Sequence, residues 1–200
     1  MYNSITICRE FGSLGRYIAR IVAKEMNYEY YDRDNITKLV KNNFNINEVE
    51  NEQMRMSEYY RMEYPLGSGS PLNQERLFEA EKSVIIDLAS SRNCVIVGRC
   101  SDYILKENNC ANIFSVFIYA PIVQRYYFSM NNFGLTSDAV ISFIERVDRE
   151  RQHYYHRFTG EDFTSCKYRD LMLDSSFADK ETIAKIICES ANAKFCRAER

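Results

Sequence analysis

Residues 9–16 have the composition of a phosphate-binding turn. They follow a short β-branched run, Ser4–Cys8, and lead into a helical pattern that begins at Gly15. In a strand, glycine turn and helix of this kind, backbone N–H groups converge on an anion at the positive end of the helix dipole. The candidate residues for binding a phosphorylated cofactor are Arg9, Glu10, Phe11, Gly12, Ser13, Leu14, Gly15, Arg16 and Tyr17.

The turn departs from the common phosphate-loop pattern GxxxxGK(S/T). When Arg9 is aligned with the first glycine, Leu14 falls on the second, Gly15 replaces the lysine and Arg16 replaces the Ser/Thr. In the common loop the lysine brings a cation to the β- and γ-phosphates and the hydroxyl ligates magnesium. Arg16 can supply charge instead, whereas Ser13 is a poor substitute ligand. The alternative is a turn without a ligand, in which Arg9 and Glu10 form a surface ion pair.

Charged residues also collect in a predicted helix over residues 137–158. Its second half contains Arg146, Asp148, Arg149, Arg151, His153, His156 and Arg157. Phosphoryl transfer needs cations because negative charge spreads over the oxygens of the moving phosphate, and a basic lid also excludes water. A solvated helix face with i,i+3 ion pairs is the alternative. No third metal ligand accompanies the two histidines, so no protein metal site is predicted.

The apolar pattern alternates between strands and helices along the chain. We predict strands at Ser4–Cys8, Tyr28–Tyr31, Cys94–Val97, Ile113–Tyr119 and Leu171–Leu173. Helices are predicted over 15–26, 74–91, 122–130, 137–158 and 180–193, with a loop over 64–73. Asp34 can cap a further helix that runs through Ile36, Leu39 and Val40, and the polar, Asn-rich stretch that follows is expected to be helical to about Met62. This alternation indicates an α/β fold with a parallel sheet covered on both faces. Ligands bind such sheets beyond the carboxyl ends of the strands, where Arg9, Asp32 and Arg99 lie.

Composition excludes several classes of protein. The 200 residues include 26 basic and 28 acidic side chains, whereas nucleic-acid-binding proteins usually carry a marked basic excess. No run of about 18 apolar residues is present to span a bilayer, and the charged N-terminus does not fit a signal peptide. Seven cysteines, an odd number without CxxC spacing, indicate reduced thiols in the cytoplasm. We expect a single cytoplasmic domain over residues 1–200.

Five segments carry a more specific signal. In chain order they are ITICREFGSLGRYIARIVAKEMNYEYYDRDNI, CVIVGRCSDYIL, VFIYAPIVQR, RVDRERQHYYHRFTG and RDLMLDSS. Together they resemble the cytidylate kinase-like proteins, relatives of bacterial cytidylate kinase whose loop typically reads S-R-E-x-G-S-G-G-R. The resemblance spans nearly the whole chain and is weakest over 45–73. It implies a three-layer P-loop fold with a five-stranded parallel sheet, an acceptor-side helical insert over about 33–73 and an arginine-bearing lid over about 125–160.

The resemblance also implies catalytic roles near the phosphates. Arg125 matches an arginine that follows the fourth strand, although its usual partner three residues later is here Phe128. Asp148 and Arg151 match the Asp-x-x-Arg of the lid. With Arg16 at the start of the first helix, Arg125, Asp148 and Arg151 are the expected catalytic residues.

Acceptor-binding positions follow from the same resemblance. Asp32 and Lys38 have the spacing of an Asp after the second strand and a substrate-contacting arginine in cytidylate kinases. Arg99 matches the arginine after the third strand that holds the acceptor nucleotide. The Asp that follows it in those enzymes is here Cys100, and Asp102 lies two residues later. The alternatives are a solvated lysine at Lys38 and a helix cap at Asp102.

The resemblance therefore implies a phosphotransferase. It would move the γ-phosphoryl group of ATP, with Mg²⁺, to a nucleoside monophosphate such as CMP or to another small phosphorylated acceptor. The missing lysine favours an alternative, a catalytically inactive nucleotide or anion sensor. Neither nucleic acid nor membrane is an expected partner, and exposed aromatics at Tyr59, Tyr60 and Tyr64 make a homodimer a reasonable hypothesis.

Overall fold

The computed structural model describes residues 2–44, 71–110, 112–133 and 137–198. Most of the predicted insert lies outside these ranges, including the helix expected over 45–62 and the aromatic side chains at 59, 60 and 64. The homodimer that depended on those aromatics stays a prediction. Part of the predicted loop over 64–73 is instead helical, because a helix begins at Pro71. Proline suits a first helical position, where its missing N–H leaves no hydrogen bond unmade.

Five parallel strands form one sheet in the described chain. They are β1 (Ser4–Arg9), β2 (Glu29–Tyr31), β3 (Cys94–Val97), β4 (Ile113–Tyr119) and β5 (Leu171–Asp174). Their order is β2-β3-β1-β4-β5, so β1 lies in the middle and pairs with β3 and β4. These three strands are almost entirely buried, as near-continuous apolar runs require in a sheet covered on both faces.

Seven helices of the described residues cover the sheet. They are α1 (Gly15–Met26), α2 (Arg33–Phe44), α3 (Pro71–Ser91), α4 (Ser101–Glu107), α5 (Ile122–Phe133), α6 (Ser137–Thr159) and α7 (Lys180–Ala198). One apolar cluster joins α2, α3 and α4 to one face of the sheet through Ile36, Ile85 and Ile104. A second joins α1 and α7 to the opposite face through Ile18 and Ile187. These layers confirm the predicted three-layer α/β fold.

The turns after β1 and β3 lie side by side at the carboxyl edge of the sheet. After β1, Gly12 and Leu14 have φ values of 79° and 62°. After β3, Gly98, Arg99 and Cys100 have φ values of 76°, 59° and 54°. Left-handed backbone is natural for glycine but strained for other residues, so both turns depend on the surrounding contacts to hold their shape. Within the described ranges, none of the helices has both the length and the apolar character needed to cross a membrane.

Candidate active site

A cavity of about 210 Å³ opens between the turn after β1, the end of β3 and the middle of α6. Two glutamates, Glu10 and Glu150, are its only acidic lining residues among those described. Its lining also includes seven arginines, which are Arg9, Arg16, Arg20, Arg33, Arg99, Arg146 and Arg151. Because the arginines greatly outnumber the glutamates, the cavity favours a polyanionic ligand.

The loop between β1 and α1 presents backbone donors to this cavity. The N–H groups of Gly15 and Arg16 have no acceptor among the described residues, because they lie in the first turn of α1. The Ser13 hydroxyl fixes the loop by hydrogen bonding to the carbonyl oxygens of Glu10 and Ile118, at 3.0 and 3.1 Å. The loop thus combines two unsatisfied donors with the positive end of a helix dipole, which is the arrangement that binds phosphate.

Arg125 and Asp148 hold this loop from the side away from the cavity. Arg125 donates through Nε to the Phe11 carbonyl oxygen at 2.7 Å, and its terminal nitrogens pair with Glu10 and Asp148. Asp148 in turn accepts a 2.7 Å hydrogen bond from the Phe11 N–H. Neither Arg125 nor Asp148 lines the cavity. These two expected catalytic residues therefore contact the loop but not the cavity. Their contacts hold the loop in position.

Arg16 lies in the cavity but is directed toward Asp32. Its Nε lies 3.6 Å from the Asp32 carboxylate, which Arg20 also approaches at 4.0 Å. The other oxygen of Asp32 accepts hydrogen bonds from the N–H groups of Asp34 and Asn35, at 3.1 and 3.3 Å, and so caps α2. Asp32 is almost fully buried by these contacts. It therefore holds two cations beside the loop and does not itself line the cavity.

Arg99 is held at the opposite wall of the cavity by residues from three helices. Its guanidinium lies 3.1 Å from Glu81 of α3, contacts the Thr37 hydroxyl of α2 at 3.4 Å and packs over the Tyr154 ring of α6. Glu81 is fully buried and also accepts a 3.0 Å hydrogen bond from the Tyr154 hydroxyl. Burial raises the pKa of Glu81, and the positive charge of Arg99 opposes that rise. Arg99 is thus fixed in orientation before any ligand binds.

Arg151 connects the α6 helix to the loop. Its Nη1 donates to the Arg9 carbonyl oxygen at 3.0 Å and lies 3.5 Å from Asp148, while its guanidinium packs over the Phe11 ring. Burial lowers the pKa of Arg151 to about 9, with the neighbouring Arg9 adding to the effect. An anion bound in the cavity would offset this cost, because it stabilises the charged form.

The family comparison agrees with this geometry. The family model for the cytidylate kinase-like family matches residues 4–177, which include the loop, Arg99 and α6. The chain belongs to the cytidylate kinase-like family. This confirms the resemblance on which several of the predicted residue roles depend. A search of curated protein sequences found no match.

Solved structures show that this member of the cytidylate kinase-like family has the P-loop kinase fold. An uncharacterized protein from Eubacterium ventriosum superposes with a TM-score of 0.75 at 19% identity, over 95% of this chain and 98% of that one. A shikimate kinase from Acinetobacter baumannii, in complex with shikimate, superposes with a TM-score of 0.53 at 12% identity, over 97% and 95%. A shikimate kinase from Bacteroides thetaiotaomicron gives 0.51 at 13% identity, over 99% of each chain.

Two expected substrate-binding residues lie elsewhere in this family member. Asp102 is buried to 1% exposure, where it pairs with Arg169 and accepts a 2.8 Å hydrogen bond from the Tyr155 hydroxyl. It therefore neither lines the cavity nor caps α4, and its oxygens are already occupied. Lys38 is exposed on α2 and also lies outside the cavity lining. Arg33, five residues earlier at the start of α2, lines the cavity instead.

Sequence reasoning missed several residues of the site. Arg20, Arg33, Arg146 and Glu150 all line the cavity. Arg33 follows β2 directly, so its place at the carboxyl edge of the sheet was an available signal. Arg146 and Glu150 lie at i−5 and i−1 from Arg151 on α6 and were indicated only by the basic character of that helix. Nothing in the sequence indicated that Glu81 belongs to the site, because a glutamate in the middle of a helix usually faces solvent.

The loop offers no protein-built magnesium site among the described residues. Arg16 occupies the Ser/Thr position, and the Ser13 hydroxyl already donates within the loop. Glu10 pairs with Arg125 and accepts a hydrogen bond from the Ala120 N–H. The described residues contain no cluster of three or more His, Cys, Asp or Glu side chains able to hold a metal. These residues do not fit a resident Mg²⁺ ion, so Mg²⁺ could enter only with the phosphates of a nucleotide.

A second cavity of about 150 Å³ also borders the loop. It shares Gly12, Leu14 and Phe128 with the lining of the first. Its remaining lining residues are uncharged and include amides and hydroxyls, namely Ala120, Gln124, Tyr127, Asn131, Ser175 and Ser176. The Ser175 hydroxyl donates to the Ser13 carbonyl oxygen at 2.7 Å, which ties this cavity to the phosphate loop.

Proposed function

We propose that this protein transfers the γ-phosphoryl group of ATP to a small phosphorylated acceptor, with a nucleoside monophosphate such as CMP as the first candidate. The observation that carries the proposal is the arginine-lined cavity at the start of α1, in a chain of the cytidylate kinase-like family. A site for two phosphorylated substrates needs many cations, because both ligands are anionic and the reaction brings them together.

The donor phosphates would bind at the loop after β1. The N–H groups of Gly15 and Arg16, in the first turn of α1, can donate to these phosphates, and Arg16 and Arg151 add positive charge. The nucleoside of the donor fits the second cavity, because Gln124, Asn131 and Tyr127 can meet the edges and face of a base. Mg²⁺ would accompany the triphosphate as its counter-ion.

The acceptor phosphate would bind between Arg99 and Arg33. Both arginines line the cavity and come from the turns that follow β3 and β2. Asp102 is buried and paired with Arg169. The carboxylate that the family resemblance assigned to recognition of the cytosine edge is therefore not at the cavity. The acceptor is therefore defined here by its phosphate, and its base preference has to be measured.

The reaction requires no general base from the protein. A phosphate oxygen of the acceptor attacks the γ-phosphorus of ATP; the new P–O bond forms as the bond to the β,γ-bridging oxygen breaks, and ADP leaves. The attacking oxygen is already anionic, so no proton has to be removed. Arginines that face the moving phosphoryl group stabilise the charge on its oxygens, and closure of the lid over about 125–160 would exclude water.

Phosphoryl transfer can be tested with MgATP and a panel of nucleoside monophosphates, with ADP and the diphosphate product separated by chromatography. We expect acceptor-dependent formation of equal amounts of ADP and diphosphate. Binding of MgATP without product for any acceptor would contradict the transferase and favour the second candidate, an inactive nucleotide sensor. That candidate is supported by the glycine at position 15 and by the missing magnesium ligand at position 16. It predicts stabilisation of the fold by nucleotide without turnover.

A further inference from the structure

Compared with the common phosphate loop, this loop has a cation where a glycine is usual, at Arg9, and a glycine where the cation is usual, at Gly15. In GxxxxGK(S/T) the first position is glycine and the seventh is lysine. Here the same two positions hold Arg9 and Gly15. The exchange keeps one cation and one glycine in the loop but moves the cation to the end of β1.

The Arg9 side chain crosses the space in which the lysine stem would begin. A Cβ atom added to Gly15 would lie 2.6 Å from the Arg9 Cβ and 2.9 Å from its Cγ. A Cβ atom added to Gly98 would lie 2.6 Å from the Arg9 Nη1. Arg9 therefore lies across two glycines, and its guanidinium reaches the end of β3 beside Arg99.

The charge on Arg9 has no acidic partner in the described chain. Five other cavity arginines each lie within 4.0 Å of a carboxylate oxygen, namely Arg16, Arg20, Arg33, Arg99 and Arg151. Arg9 has no carboxylate within that distance among the described residues, although it lines the cavity. Burial lowers the pKa of Arg9, and the nearby Arg16 and Arg33 add to this effect. An unpaired arginine in such a place is stabilised by a bound anion.

We propose that Arg9 has the role that the lysine has in the common phosphate loop, and that its guanidinium binds the transferred phosphoryl group between the start of α1 and Arg99. This inference rests on the proposed function for its substrate and replaces Arg16, which is turned toward Asp32, as the principal loop cation. It also gives a reason for glycine at positions 15 and 98, since a side chain at either would displace Arg9.

The test compares Arg9→Gln, Arg9→Lys and the exchange variant Arg9→Gly/Gly15→Lys with the unmodified protein. Arg92→Gln is the matched control, because it removes an exposed guanidinium that directly follows α3, pairs with Glu29 and does not line the cavity. Three quantities are measured for each variant: the turnover number, and by calorimetry the Kd for MgATP and the Kd for AMP. AMP lacks the β- and γ-phosphates.

We expect Arg9→Gln to lower turnover by about 10²–10³-fold and to weaken MgATP binding by about 10–100-fold, with AMP binding unchanged. Arg9→Lys should retain a larger share of both, and the turnover of the exchange variant should be at least about tenfold higher than that of Arg9→Gln. If Arg9→Gln binds MgATP and turns over like Arg92→Gln, Arg9 is not the loop cation even if the protein is a kinase. If the unmodified protein has no turnover, the proposed function fails, and the MgATP affinity of Arg9→Gln still decides the role of Arg9.

Discussion

The carboxylate of Glu81 lies 3.1 Å from the guanidinium of Arg99, and both side chains are almost completely buried. Tyr154 completes the group, since its hydroxyl donates to Glu81 and its ring lies under Arg99. Glu81 comes from α3 and Tyr154 from α6, so Arg99 is fixed where two helices meet the end of β3. This relationship assigns Glu81 a positioning role, because it acts on the cavity only through Arg99.

Replacement of Glu81 should separate acceptor binding from donor binding. Glu81→Ala leaves Arg99 buried without its charge partner, so we expect a loss of about 3–5 kcal/mol in the free energy of unfolding. Glu81→Gln should cost less, because it keeps an oxygen for the Tyr154 hydroxyl. In Glu81→Gln we expect the acceptor KM to rise while the Kd for MgATP stays constant. Urea unfolding and steady-state kinetics measure these quantities.

The control is Glu79→Ala on the same helix, where the carboxylate is exposed and pairs with Lys82. An exposed pair of this kind contributes at most about 1 kcal/mol. Equal loss of acceptor and donor affinity in Glu81→Gln would show that the buried pair supports the fold in general, and would contradict a specific role in orienting Arg99.

Two glycines with nearly the same backbone conformation allow strain to be separated from loss of function. Gly98 and Gly160 have φ values of 76° and 71°, but a Cβ atom on Gly98 would meet the Arg9 guanidinium, whereas one on Gly160 would meet nothing within 4 Å. Alanine at either position should therefore cost about 1–2 kcal/mol of stability. Only Gly98→Ala should also weaken MgATP binding, because Arg9 has to move away. Similar MgATP affinities in the two variants would mean that Arg9 does not depend on the open space at Gly98.

The sequence predicts the framework of this molecule better than its charge pairs. Strand and helix positions follow from local apolar patterns, and β3 and β4 have the predicted limits. Polar residues at the carboxyl edge of a parallel sheet follow from topology, which is why the sequence led to the loop and to Arg99. Asp32 lies at the same edge but pairs with Arg16 and does not line the cavity. The partner of Asp102 is Arg169, on a distant part of the chain. No local pattern encodes such a pairing. Arg33 differs from it, because its position directly after β2 could have been read from the topology, whereas the family resemblance pointed to Lys38.

Arg33 and Lys38 provide a direct comparison of a cavity residue with an exposed residue on the same helix. Arg33 lines the cavity at the first position of α2, whereas Lys38 is exposed and lies outside it. We expect Arg33→Ala to raise the acceptor KM by about 10-fold or more, as loss of a charge-assisted hydrogen bond to phosphate does. Lys38→Ala should leave this KM within about twofold. If steady-state kinetics showed that Lys38→Ala raises the acceptor KM more than Arg33→Ala does, Lys38 would be the residue that contacts the acceptor, as the family resemblance implied.

Asp148 should matter for the stability of the phosphate loop even though it does not line the cavity. It accepts a hydrogen bond from the Phe11 N–H and pairs with Arg125, which itself binds the Phe11 carbonyl oxygen. In Asp148→Asn we expect the loop to loosen because one of the two carboxylate partners of Arg125 is lost, at a cost of about 1.5–3 kcal/mol in the free energy of unfolding. Hydrogen exchange should then become faster over residues 9–16, with the sheet interior unchanged.

Glu189→Gln, which removes an exposed carboxylate on α7, is the control. Equal exchange rates over the loop in Asp148→Asn and Glu189→Gln would show that Asp148 does not hold the loop, and its family role in the lid would then need a direct contact with substrate.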